Sequence, residues 1–271
     1  MTFTAETPNC CCNFEAQHKQ HTHPAMRALE KEVLGCDFGG TSWTTRSQAD
    51  DIAAALQLAA DSHLLEIGAG TGWPGVYLAG QTGCDVTLLD IPVSSLKYAR
   101  QRAEQENIEN HCDAVAASGA ALPFTSGAFG AIGHSDVLCC LPEKLAMLKE
   151  CRRIACAGAR MLFYVIAPTR GLSKKDLIEA CNIGPPFVGV PADYVRLLDE
   201  SGWELVERTD LTDEYLLALR DLLKGLEANS TALKEALGLA EFTRQLQHRR
   251  EQVSAIERGL LEREMYLVKA A

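Results

Sequence analysis

The segment Leu65-Glu66-Ile67-Gly68-Ala69-Gly70-Thr71-Gly72 is the one best suited to chemistry: a short apolar run carrying one acid, then alternating glycines. Glycine lets a backbone approach a bound molecule and adopt conformations that a Cβ forbids. Asp90 closes the next apolar run, eighteen positions beyond Gly72. A carboxylate there can accept hydrogen bonds from both hydroxyls of a ribose. Gly70-Thr71-Gly72-Trp73-Pro74-Gly75 also satisfies the G-x-G-x-x-G dinucleotide fingerprint, with Asp90 about where that motif wants its acid. Three features weigh against a pyrophosphate. The loop begins already at Gly68, Glu66 sets a carboxylate beside it, and Pro74 removes a backbone N–H from the first helical turn. The second repels a phosphate and the third denies it a donor.

His134 and Asp136, at the end of a later apolar run, are the candidate general bases. Their plainer roles are a packed strand residue and a helix N-cap. At the N-terminus, Cys10-Cys11-Cys12, His18, His21, His23 and Cys36 invite a metal or metalloid reading. Adjacent cysteines, however, do not easily direct all their sulfurs to one tetrahedral ion, and the spacing matches no standard zinc pattern. No metal is expected, and the segment reads as a mobile tail.

These groups need a frame to hold them. Apolar runs suited to buried strands occur at His63–Ile67, Asp85–Leu89, Asp113–Ala117, Phe129–His134 and Arg160–Ile166. Helical patterns over Val93–Glu106 and Pro142–Ala155 lie between them. Such alternation predicts a doubly wound, mainly parallel α/β sheet, with ligands outside the carboxyl ends of its strands. Helices are also expected at Pro24–Leu34, Ser47–Ala60 and Tyr194–Glu200, with strands at Trp203–Thr209 and Glu264–Lys269, seven strands in all. The expected organisation is a flexible tail (1–23), a helical cap (24–61), a cofactor-binding core (62–210), a helical insertion (211–263) and a closing strand (264–271). The insertion is long enough to fold as a lid over a small acceptor; its leucine stripe would also serve a homodimer.

From His63 to Asp90 the chain resembles the first two motifs of the class I S-adenosylmethionine-dependent methyltransferases. Ala117-Ser118-Gly119-Ala120-Ala121-Leu122-Pro123-Phe124, followed by Phe129, resembles the D-A-x-x-L-P-F segment of their small-molecule branch, and His134-Ser135-Asp136-Val137-Leu138 the motif after the fourth strand. The resemblance covers about residues 40–170 and implies a Rossmann-like sheet with an antiparallel last strand. It implies S-adenosylmethionine as cofactor, with Glu66 and Gly68 near its methionine part and Gly70 and Gly72 along its backbone. Asp90 would hold the ribose, with Ile91, Ala117 and Ser118 around the adenine and Ser135 lining the cofactor. Ser118 stands where the family usually has an aspartate, Gly130 replaces another, and Cys139-Cys140 replaces frequent histidines. Trp43, Thr44 and Arg46 precede the first core helix and would fold over the cofactor, Arg46 meeting its carboxylate.

Methyl transfer from a sulfonium asks the protein mainly to align the reactants and exclude water. An alcohol or phenol acceptor needs a base; an amine or thiolate need not have one. The competing readings are an NAD-dependent oxidoreductase, a non-catalytic cofactor-binding protein and a thiol or metalloid methyltransferase. The net charge of −10 speaks against broad nucleic-acid binding. No apolar run reaches the ~18 residues of a membrane span and no secretory signal opens the chain, so a cytoplasmic enzyme acting on a small molecule is expected. Most of the eleven cysteines lie in apolar segments and read as reduced core thiols.

Overall fold

The computed structural model describes residues 17–20, 22–37, 42–190 and 193–270. One sheet runs in the order β3-β2-β1-β4-β5-β7-β6. Its strands are β1 (His63–Ile67), β2 (Asp85–Asp90), β3 (Cys112–Ala116), β4 (Phe129–Ser135), β5 (Ala155–Pro168), β6 (Trp203–Asp210) and β7 (Leu261–Ala270). β1 pairs in parallel with β2 and β4, whereas β7 runs antiparallel to both β5 and β6. The winding reverses between β1 and β4, which places the ligand crevice at their carboxyl ends.

Alternation along the strands supplies two apolar faces, as a parallel sheet covered on both sides requires. Leu65 and Ile67 join one buried cluster with Ile132, Phe163 and Tyr266; their neighbour Leu64 joins another with Val86, Leu88 and Leu162. The second face is covered by α2 (Arg46–Ala55), α3 (Gly75–Thr82) and α4 (Val93–Gln105), through Ile52, Val76 and Leu96. The first is covered by α5 (Lys144–Ile154), α6 (Lys174–Ile183), α7 (Tyr194–Glu200), α8 (Thr212–Ala228) and α10 (Leu239–Glu257). Beyond the sheet, Met26 and Leu29 of α1 (Pro24–Leu34) pack with Leu226, Phe242 and Leu233 of α9 (Ser230–Leu237). The N-terminal helix and the helices between β6 and β7 thus share one small core.

Three elements depart from expectation. α2 stops at Ala55 rather than Ala60, because Gln57 turns left-handed at φ +56 and Leu58 N–H reaches back to Ala53. α6 is additional to the expected helices; Ser173 caps it by accepting from Asp176 N–H at 3.2 Å. The last strand begins at Leu261, so Arg263 belongs to the sheet and not to the preceding helices. No helix among the described residues is long and apolar enough to cross a membrane. Cys10, Cys11, Cys12 and His21 lie outside the described residues, as do Gly39 and Gly40.

Candidate functional site

A cavity of about 710 Å³ opens where β1, β2 and β4 end, and Ile67, Asp90 and Ser135 stand on its floor. Its size is that of pockets that enclose small-molecule ligands. Trp43, the 184–186 segment and one face of α10 form the opposite wall.

The glycine turn is shaped by its own hydrogen bonds. Gly68 and Gly70 hold φ of +72° and +52°, a region that side chains with a Cβ seldom adopt. The N–H groups of Gly68 and Ala69 donate to Leu89 O at 2.8 and 3.1 Å, and Gly70 N–H donates to Asp90 Oδ2 at 2.6 Å. Gly72 N–H donates to Ala69 O at 2.7 Å, and Gly75 N–H, the first of α3, donates to Glu66 Oε2 at 2.9 Å. A pyrophosphate cradled at a helix N-terminus needs such donors free. Here they are already satisfied inside the protein. The dinucleotide reading therefore loses its anchor.

Asp90 has the opposite character. Its Oδ1 accepts Ile91 N–H at 2.7 Å, which with the Gly70 bond fixes the carboxylate plane at the cavity floor. Each oxygen keeps a further lone pair for a hydroxyl donor. Burial raises its pKa, and the two backbone N–H groups oppose that shift.

Of the residues expected at the site, Trp43, Gly68, Gly70, Asp90, Ile91, Ala117, Ser118, Ser135 and Asp136 line this cavity. Five do not. Thr44 is buried beneath the wall: its hydroxyl donates to Ser135 Oγ at 3.0 Å, and its carbonyl accepts Trp73 Nε1–H at 2.8 Å. Arg46, in the first turn of α2, lies over the Tyr77 ring at 5.4 Å instead of turning inward. Glu66 is buried behind the turn, capping α3, and burial pushes its carboxyl up to about 8. Gly72 faces α4, where an added Cβ would meet Val76 Cγ2 at 2.7 Å and Ala99 Cβ at 3.1 Å. His134 shares the Ile132 face of β4 and stacks on Phe163, with ring centroids 4.8 Å apart.

The two expected bases stand in different surroundings. Neither ring nitrogen of the buried His134 has a hydrogen-bond partner, and burial lowers its pKa to about 3. It is a neutral core residue. Asp136 does reach the cavity, but its carboxylate is clamped by Arg263, with Nη2 to Oδ2 at 2.9 Å and Nε to Oδ1 at 3.1 Å. Arg263 also donates to Gln48 Oε1 at 3.2 Å and lies over the Tyr164 ring at 4.7 Å. It joins the last strand, the end of β4 and the start of α2.

Arg263 was not legible as a site residue, although the two-residue alternation of a strand places it with Met265 and Leu267. His18 is a second addition: its Nδ1 lies 2.5 Å from Ser95 Oγ, and its ring covers Gly70 at the cavity edge. His23 caps α1 and Cys36 is buried. Among the described residues no three potential metal ligands cluster.

The reversed last strand, the glycine turn and the acid at the end of β2 are the arrangement that a resemblance to class I S-adenosylmethionine-dependent methyltransferases implies. Residues 65–163 match the family model described as methyltransferase domain. It is similar to methyltransferase GfsG of Streptomyces halstedii, 24% identical over 64% of this chain and 67% of the relative. It is also similar to a sarcosine/dimethylglycine N-methyltransferase of Halorhodospira halochloris, 26% identical over 58% of this chain and 57% of the relative. The matches thus span a little over half to two thirds of these relatives. Among solved structures, the [4+2]-cyclase SpnF superposes with a TM-score of 0.72 at 14% identity, covering 97% of both chains. That likeness concerns the fold alone.

Proposed function

We propose that this protein binds S-adenosylmethionine at the turn between β1 and α3 and transfers its methyl group to a small-molecule acceptor. The observation that carries the reading is Asp90, which lines the cavity and is held by two backbone N–H groups, beside a turn whose N–H groups at Gly68, Ala69, Gly70 and Gly72 are already bonded. That arrangement suits a ribose and not a pyrophosphate. Ile91 and Ala117 offer apolar walls for an adenine, and the hydroxyl of Ser118, bound to Ala120 N–H at 3.2 Å, replaces a carboxylate at its edge. S-adenosylmethionine supplies, when bound, a methyl carbon already carrying its leaving group, so that an acceptor lone pair can displace a neutral thioether.

The chain's part is alignment and the exclusion of water. Thr44 fastens the segment before α2 to Ser135, and Trp43 stands edge-on to Tyr215 at 5.1 Å, so one aromatic wall is fixed. With His134 enclosed and Asp136 held by Arg263, neither acts as a base, and an acceptor that needs none fits the site best. Incubation with methyl-labelled S-adenosylmethionine and panels of small amines, thiols, acids and alcohols tests the reading. Label passing to an acceptor with equimolar S-adenosylhomocysteine supports it. Tight cofactor binding without transfer to any panel would point to a non-transferring use of the fold.

A further inference from the structure

α10 turns Arg244, Gln245, His248, Arg249 and Gln252 toward the cavity, a helical spacing that puts them on one face. None of these five lining residues is an acid. Arg244 is engaged by Glu241 at 2.6 and 2.8 Å. Arg249 is different. Its guanidinium lies over the Trp43 ring at 4.9 Å and donates from Nη1 to Gln252 Oε1 at 2.5 Å. Among the described residues no carboxylate forms an ion pair with it, whereas Arg220, Arg244, Arg250, Arg258 and Arg263 each have one. A guanidinium has five donors in a planar fork, and withdrawing its charge from water without an anion is costly. His248, one residue before, is kept below its usual pKa by burial and by Arg249 and Arg244, so its ring faces the cavity neutral and offers one N–H.

We infer that Arg249, together with His248 and Gln252, forms an anion subsite that takes a carboxylate or phosphate group of the methyl acceptor. This rests on the methyl-transfer reading above and adds a substrate class to it. The anion would fit into the planar fork of Arg249, which Trp43 supports from one side and Gln252 orients. The cofactor's amino-acid end carries a carboxylate too, but with an ammonium beside it. Glu241, the acid of α10 next to this face, is already taken by Arg244 and Gln245, and the α10 residues lining the cavity carry no acid for that ammonium, whereas they suit a ligand with net negative charge.

The test uses the full chain, first free and then saturated with S-adenosylhomocysteine, titrated calorimetrically with inorganic phosphate at constant ionic strength. Expected is one phosphate site per chain in both forms, weakened at least ~10-fold by Arg249→Met, while Arg249→Lys keeps part of the affinity and S-adenosylhomocysteine binding changes less than ~2-fold. Circular dichroism melts confirm that the variants are folded. Phosphate binding that is absent, or equal in wild type and a folded Arg249→Met, would overturn the inference. So would a ~10-fold loss of S-adenosylhomocysteine affinity in that variant, which would give the guanidinium to the cofactor's own carboxylate. Failure of the wild type to bind S-adenosylhomocysteine while phosphate binds through Arg249 would instead strike the methyl-transfer reading and leave the anion site standing.

Discussion

Asp136 and Arg263, 127 positions apart, meet as a two-pronged ion pair with the guanidinium fully buried. Asp136 adopts φ +56, a left-handed conformation that a non-glycine residue holds only when its surroundings impose it. The guanidinium grips this carboxylate just past the end of β4, while the Asp136 N–H donates to Tyr164 O at 3.0 Å. Breaking one side of a buried pair leaves an uncompensated charge, at about 3–5 kcal/mol. Arg263→Met is expected to lower unfolding free energy by that order in urea titrations. Asp136→Asn in the same background should restore part of it; strictly additive losses would contradict the coupling.

His134 offers the opposite expectation. His134→Leu removes two buried nitrogens without partners and keeps a similar volume beside Phe163. Stability at neutral pH should hold or rise, and turnover should stay within ~2-fold. The wild-type imidazole, neutral in the fold to about 3, ionises near 6.5 when unfolded. Its support is complete above pH 6.5 and is lost as pH falls toward 3. Melting curves of the variant should lack that acid-side decline. A ~100-fold fall in turnover would restore His134 as a base.

Glu66 carries the mirror-image pH dependence. Burial and, less strongly, Asp90 raise its carboxyl to about 8, against the pull of Gly75 N–H. The fold's preference for the neutral acid is complete below pH 4.5 and fades as pH rises to about 8. Glu66→Gln keeps an acceptor for Gly75 and does not titrate. Relative to it, the wild type should lose stability between about pH 5 and 8, by roughly 1.4 kcal/mol at most for each step of one in pH. Parallel stability curves over that range would show that the side chain does not titrate there.

Gly72→Ala probes the seam between α3 and α4. The added carbon would press on Val76 and Ala99 at a residue whose φ is +97°. A loss of about 2 kcal/mol or more is expected in denaturant unfolding. Because Gly72 does not line the cavity, S-adenosylhomocysteine affinity of the folded variant should change little. A large affinity loss with unchanged stability would place this glycine against the ligand.

The sheet was legible because its strands are short apolar runs that end at glycine or acid, as at Ile67-Gly68 and Leu89-Asp90. Asp90 and the glycine turn were legible for the same reason: their signal is local. His134 misled because proximity to a strand end says nothing about which face a side chain takes. Alternation from Ile132 puts it on the packed side. Arg46 misled in a similar way, since the capping box at Thr45 and Gln48 sets α2 so that its first turn points outward. Arg249 and Arg263 find Trp43 and Asp136 only through tertiary packing, and no local pattern announces such pairs.

The central claim is that Asp90 holds the ribose of S-adenosylmethionine, and calorimetric titration with S-adenosylhomocysteine tests it most directly. Ribose recognition by Asp90 predicts micromolar, one-to-one binding by the wild type, at least ~10-fold weaker binding by Asp90→Ala, and no heat with NAD. Binding of NAD without S-adenosylhomocysteine, or equal S-adenosylhomocysteine affinity in the two proteins, would contradict it.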